Sequence, residues 1–207
     1  MTDDRHDAPL NVTSGPPAEL GPGRILLVGT GAPTSAGLPM LATYLRSSYK
    51  TKIKVVLTKA AQRLVSPALL SASSGQAVLP TQWEEDPDSG PLHVTWANWP
   101  DLIVVWPATL EFMARCAAGL ASDVPSAIVL SSSVPVLFAP SLAPSAVHAG
   151  PYRRVKKMLR EDGHTVVDPI AGISLSDFTP SEGACIDIEK LVREINNVWL
   201  NRPCSAK

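Results

Sequence analysis

Short apolar runs alternate with amphipathic stretches along most of this chain. Arg24–Gly29 (RILLVG) has the pattern of a buried strand, a brief apolar run closed by glycine. Lys52–Leu57 (KIKVVL) is a second, and its β-branched residues favour strand over helix. A third runs from Asp101 to Trp106, with its apolar part at Leu102–Trp106. A fourth is Val134–Ala139, and Thr165–Val167 is a short last one before Pro169. Helical patterns fill the intervals: Ala36–Ser47, a helix opened by Thr58, Leu110–Ala121, and Tyr152–Glu161 with Gly163 as its stop signal. In Ile186–Leu200 the apolar positions Ile188, Leu191, Val192, Ile195, Val198 and Trp199 recur at helical spacing, which predicts an amphipathic terminal helix. Strands alternating with helices predict a three-layer α/β domain whose parallel sheet, of about six strands, is covered on both faces. That domain spans residues 23–207. Residues 1–22, acidic and rich in Pro and Gly, are expected to be disordered or an arm reaching a neighbouring subunit.

Charge and cysteine content narrow the function classes. With 18 basic and 19 acidic side chains, no basic field points to nucleic acid or to a membrane surface. Cys116, Cys185 and Cys204 lie far apart, with neither metal-ligand spacing nor a disulfide framework. The N-terminus has no apolar core of a secretory signal, and no run is long enough to span a bilayer. A cytoplasmic protein that binds no metal is the expectation.

In an open parallel sheet, ligands bind outside the carboxyl ends of the strands, so the residues at those ends are the candidates. The first is the turn Gly29-Thr30-Gly31-Ala32-Pro33-Thr34-Ser35. Its glycines let backbone amides face an anion, and Thr30, Thr34 and Ser35 add hydroxyls at a helix N-terminus. Thr58, at the end of the second strand, is placed to meet a phosphate or ribityl chain, although on spacing alone capping its own helix is the stronger explanation. At the third strand end, Pro107-Ala108-Thr109 lets a flat ring approach the backbone, and His93 precedes that strand. Trp96, Trp99 and Trp106 are core or interface residues by default. The fourth end, Pro140-Ser141-Leu142, reads either as a rigid loop or as a cover over a reacting centre.

Taken together, RILLVGTGAPTSAG, the Thr-Lys-Ala-Ala segment at Thr58–Ala61, His93 eight residues before Asp101, PATLEF at Pro107–Phe112 and FAPSLAP at Phe138–Pro144 resemble the homo-oligomeric flavin-containing cysteine decarboxylases. The resemblance runs from about Arg24 to Gly172. It implies a Rossmann-like (flavodoxin-like) fold and FMN, with FAD possible, held by Gly29, Thr30, Gly31, Ala32, Thr34, Ser35, Thr58, Pro107, Ala108 and Thr109. It makes His93 the catalytic acid/base, and it places Glu111, Pro140, Ser141 and Leu142 against the substrate. The chain departs from the family at Glu111 and Ala143, where the family has asparagines, and at Leu142, where it has methionine. An ionised Glu111 would repel a carboxylate, and burial would make it a donor instead. Such divergence resembles the peptide-modifying branch. It implies oxidative decarboxylation of the C-terminal cysteine of a ribosomally made precursor peptide, giving an aminoenethiol for an aminovinyl-cysteine ring, in a trimer or dodecamer. The segments Pro140–Pro151 and Ile173–Gly183 are then the peptide-recognition loops. A phosphopantothenoylcysteine decarboxylase-like enzyme, a flavin prenyltransferase, a degenerate flavin-binding subunit and a non-enzymatic binding module are the alternatives.

Overall fold

The computed structural model describes residues 19–81, 92–173 and 178–202. The elements run β1 (Arg24–Gly29), α1 (Leu38–Tyr49), β2 (Lys52–Leu57), α2 (Pro67–Ser74), α3 (Leu92–Asn98), β3 (Leu102–Ala108), α4 (Leu110–Ala117), α5 (Val124–Ser131), β4 (Val136–Pro140), α6 (Pro144–Val147), α7 (Gly150–Glu161), β5 (Thr165–Val166), β6 (Ile170–Ile173), β7 (Pro180–Ala184) and α8 (Ile188–Leu200). Short 3-10 turns at Pro33–Gly37 and Ala61–Arg63 follow β1 and β2.

Five strands form one parallel sheet in the order β2-β1-β3-β4-β5. This is the flavodoxin-like order, in which the connections diverge to opposite faces on either side of the β1/β3 boundary. Strand alternation builds the two cores. Ile25, Leu27, Leu102, Val104, Trp106 and Leu137 face α1, α2 and α8. Leu26, Val28, Ile103, Val105, Val136 and Phe138 face α3, α4, α5 and α7. All twelve are buried, so β1, β3 and β4 are apolar on both sides, as the covered centre of a parallel sheet requires.

The sheet has five strands rather than about six. The segment after β5 instead folds back as an antiparallel hairpin, β6 with β7, outside the main sheet. Pro169 interrupts the chain after β5, and Gly183 takes a positive φ of 97° inside β7, so this stretch suits a small hairpin rather than a central strand. The expected lid Ile173–Gly183 belongs in part to this hairpin, and residues 174–177 lie outside the described residues.

Three further differences have local causes. The helix expected over Leu110–Ala121 ends at Ala117, because Gly119 enters the left-handed region at φ 70°. Asp123 then opens α5 through a capping box with Ser126, a helix the sequence reading passed over. β3 runs on through Pro107 to Ala108. A register shift between Val105 and Ala108 marks a bulge there, which is where a central strand tolerates proline. Of the expected N-terminal arm, residues 1–18 lie outside the described residues, while Leu20 packs against the core and Gly21 lies flat on the Trp199 ring.

Phe138 is fully buried at the centre of one core. Phe138→Ala is expected to cost about 3–5 kcal/mol in chemical denaturation.

Candidate active site at the carboxyl ends of the strands

The ends of β1, β2, β3 and β4 are tied to one another by hydrogen bonds. Thr30 follows β1, and its hydroxyl donates to the Pro107 carbonyl at 2.7 Å and accepts from the Thr109 N–H at 2.9 Å. The Ser35 hydroxyl donates to the Thr30 carbonyl at 2.5 Å, closing the turn from below. The Thr58 N–H donates to the Gly29 carbonyl at 2.9 Å, and the Ser141 N–H to the Ala108 carbonyl at 2.9 Å. The Leu142 N–H reaches the Gly183 carbonyl at 2.9 Å and so joins the hairpin to the same corner. The Trp106–Pro107 peptide is cis.

This geometry sorts the sequence candidates. Gly29, Thr30, Ala32, Ser35, Thr58, Pro107, Ala108 and Pro140 are buried; Gly31 is exposed, and Thr34, Thr109, Ser141 and Leu142 are half-buried. The hydroxyls of Thr30 and Ser35, expected as phosphate donors, are spent on the scaffold. The Thr58 hydroxyl accepts from Ala61 N–H at 3.3 Å, which is the capping role. Pro107 and Ala108 lie within β3 rather than on a turn after it, so Thr109 is the residue of that motif at the mouth. Its hydroxyl caps α4 by accepting from the Phe112 N–H at 3.4 Å.

What remains at the rim is backbone and small side chains. Gly31, Pro33 and Ala60 are exposed there, beside Thr34. A Cβ on Gly31 would stand 2.7 Å from the Ala60 Cβ, so only glycine lets the first two corners approach this closely. The amides of this turn sit ahead of α1, whose N-terminal end adds partial positive charge. No acidic side chain lies between Gly29 and Ala61. The rim therefore suits an anionic group.

His93 does not immediately precede a strand. It stands on the first turn of α3, half-buried. A crossover between parallel strands returns the chain from carboxyl to amino ends, so the first turn of α3 is its end nearer the mouth. Trp96, one turn below, packs against the core with Lys54 Nζ 3.6 Å above its ring. Trp106 is core, its indole N–H donating to the Ile186 carbonyl at 2.9 Å. Glu111 is not buried: its carboxylate is 70% exposed and ion-paired with Arg115 at 2.5 Å. The expectation that burial makes it a neutral donor fails for that reason.

A cleft of about 350 Å³ opens between the first turn, the loop after β4 and the hairpin, lined by Pro33, Thr34, Ser141, Leu142, Gly183 and Cys185. A second hollow, sharing Thr34 and Cys185, continues toward Trp106 and Ile188. A larger concavity, about 870 Å³, lies at the opposite end of the sheet around Arg24 and Asp101, away from this cleft. Cys185 lines this cleft although no sequence motif marks it; only the return of the hairpin toward β4 brings it there. Its Sγ donates to the Ala139 carbonyl at 3.3 Å, and burial pushes the thiol up to about 12. It is protonated at neutral pH.

Comparison with known proteins agrees with this geometry. The family model described as Flavoprotein matches residues 14–200. The chain is 31% identical over 123 residues to the coenzyme A biosynthesis bifunctional protein CoaBC of Haemophilus influenzae, covering 59% of this chain but only 31% of that relative's length. Among solved structures it is similar to the FMN-dependent cysteine decarboxylase SpaF, with a TM-score of 0.70 and 28% identity over 86% of this chain and 97% of the other. It is also similar to the FMN-dependent cysteine decarboxylase TvaF from thioviridamide biosynthesis, with a TM-score of 0.65 and 29% identity over 70% and 90%.

Two outcomes test the corner. Thr30→Val removes the bridge and leaves a strand-end N–H and carbonyl unpartnered, so it should lower stability by about 1–3 kcal/mol in chemical denaturation, while Thr30→Ser retains most of it. Cys116 and Cys185, both pushed up to about 12 by burial, should resist iodoacetamide at neutral pH and react once the chain is unfolded, read by peptide mass spectrometry.

Proposed function

The chain belongs to the Flavoprotein family, and from that premise we propose that it binds FMN at the β1/β3 corner and oxidatively decarboxylates the C-terminal cysteine of a ribosomally made peptide. The observation that carries this reading is the convergence of Thr30, Thr109 and Ser141 at the switch point of the sheet, beside the cleft that ends at Cys185. The likeness to SpaF and TvaF supports the chemistry, since both are cysteine decarboxylases.

The residues divide the work as follows. The Gly31–Thr34 turn and the N-terminal end of α1 hold the phosphate, where the rim carries no acid. Thr109 and Ser141 line the approach to the flat ring. Bound there, FMN would supply a two-electron acceptor for the hydride equivalent lost from the cysteine Cβ as the thiol gives up its proton, which would make loss of CO2 from the resulting thioaldehyde easy. His93 takes the thiol proton as the thiol is oxidised. The loop after β4 and the β6–β7 hairpin receive the peptide. They are tied to each other by Leu142 N–H on the Gly183 carbonyl and by His148 Nε2 on the Glu182 carboxylate at 2.7 Å. Glu111, held outward by Arg115, keeps its charge out of the cleft. Thr34 and Ser141 provide hydroxyls there instead. Assembly into a trimer or a higher multiple, with the flavin at a subunit boundary, belongs to the same reading. Among the described residues no helix is long and apolar enough to cross a membrane.

The CoaBC relatives favour a second reading, a small-molecule substrate of the phosphopantothenoylcysteine type. The chain spans about a third of those relatives, and the similarity covers 58–59% of it in two of them and 72% in another.

The purified protein should be yellow and should convert short peptides ending in cysteine to products lighter by about 46 Da, the mass of CO2 and two hydrogens. Conversion of phosphopantothenoylcysteine in preference to every peptide would assign the second reading, and a colourless protein that FMN does not reconstitute would exclude both. His93→Asn should keep its visible spectrum and lose turnover by about 10²–10⁴-fold; unchanged turnover removes His93 from the mechanism.

A further inference from the structure

We propose that the outer edge of β2, with the basic groove beside it, binds an acidic, extended segment of the peptide substrate upstream of its cysteine. The proposal rests on the peptide reading above and adds a second point of contact, near the opposite end of the sheet.

The groove has a volume of about 500 Å³ and is lined by Arg46, Lys50, Lys52, Lys54, Gln76 and Trp99, with no acidic residue among the described residues that line it. Several cations elsewhere are paired: Arg24 with Asp101, Arg115 with Glu111 and Asp123, Lys156 with Asp168, and Lys157 with Glu161. Among the described residues, none of the four groove cations has a carboxylate within ion-pair distance. On α7, Lys156 and Lys157 are paired while Arg153, Arg154 and Arg160 have no ion pair among the described residues; what sets the β2 groove apart is that its four cations lie beside open strand backbone. In a chain of net charge −1 this is a local concentration of one sign.

The backbone beside these cations is open. On its inner side β2 pairs with β1 along its whole length. On its outer side the described contacts are confined to the upper half, where Leu79 N–H donates to the Val55 carbonyl at 2.8 Å and Leu79 bridges Val56. Lys52 N–H and Thr58 N–H point inward, to the carbonyls of Gly23 and Gly29. Alternation therefore turns the N–H and C=O of Ile53 outward, into the groove, where no described strand meets them. A strand edge with a donor and an acceptor, flanked by Lys52 and Lys54, fits an extended peptide that pairs through its backbone and carries acidic side chains.

One wall of the groove is fixed. Lys54 Nζ lies 3.6 Å above the Trp96 ring and 4.8 Å from that of Trp99, which ties β2 to α3. Lys50 and Lys52 are exposed and have no such duty. Lysines on an edge also deter pairing with other chains, and that role demands no preference for an acidic ligand. The span sets the peptide register. Six residues of β2 and two strand spacings put the groove roughly 25 Å from the corner, about eight residues of extended chain.

The test uses the native flavin-loaded oligomer and two synthetic peptides ending in cysteine. They differ only in a segment beginning about eight residues upstream, Glu-rich in one and Gln-rich in the other. In fluorescence anisotropy the Glu-rich peptide should bind about three- to tenfold more tightly, as expected of a few exposed ion pairs, with the gap closing at high salt. The double variant Lys50→Asn, Lys52→Glu should abolish the gap while leaving turnover of a cysteine-terminated tripeptide unchanged; asparagine suits the left-handed backbone at Lys50, φ 54°. Equal binding of the two peptides, a gap that survives in the variant, or a variant with altered oligomer mass overturns the proposal, the last because the edge would then be a subunit contact. Charge-dependent binding with no loss of about 46 Da from any peptide upholds the groove and overturns decarboxylation; turnover without charge preference does the reverse.

Discussion

One hydroxyl holds the functional end of this protein together. Thr30 Oγ1 both donates to Pro107 and accepts from Thr109, so the end of β1 and the end of β3 cannot separate without exposing three polar groups in a buried place. These are the two strands between which the connections diverge. A doubly wound sheet opens a crevice there, and in this chain the crevice has a braced wall. Ser35 below and Thr58 beside it extend the brace to the helix N-terminus and to β2.

A consequence is that the hydroxyls nearest the corner are not its chemistry. Thr30, Ser35 and Thr58 are consumed by backbone groups, because a buried donor or acceptor left unpaired costs more than most packing contacts return. The mouth is lined instead by what the brace leaves free: the Gly31 turn, the half-buried Thr34, Thr109 and Ser141, and a protonated Cys185 on the returning hairpin. The same economy explains Glu111. On the exposed side of α4, one turn from Arg115, the carboxylate is held by an ion pair and faces solvent.

The two ends of the sheet differ in kind. The carboxyl end is a set of tied turns with little net charge, suited to a flat cofactor and a small reacting group. At the amino end the β2 edge carries cations that have no ion pair among the described residues, beside open backbone, suited to a longer and less specific contact. The large concavity around Arg24 and Asp101 also lies at that end, but its central ion pair is already satisfied. Size alone therefore does not choose the candidate site; strand polarity and the switch point do.

The strands β1 to β4, the α/β class and the terminal amphipathic helix were legible in the sequence, because burial on both faces of a parallel sheet leaves unbroken apolar runs and a covering helix leaves a 3.6-residue stripe. The corner residues were legible too, since Gly31, the Pro-Ala-Thr motif and Pro140 fall where those runs stop. Their individual roles were not. A threonine at a strand end reads alike whether its hydroxyl faces a ligand or a neighbouring carbonyl, and only the approach of β3 to β1, 77 residues apart in the Thr30–Pro107 bond, decided it. The bulge that keeps Pro107 inside β3, the hairpin in place of a sixth strand, the arrival of Cys185 at the cleft and the clustering of Lys50, Lys52 and Lys54 with Arg46 and Trp99 were likewise settled by tertiary contact. Local pattern specifies which face of an element is buried; what each polar group meets there depends on partners brought in from elsewhere in the chain.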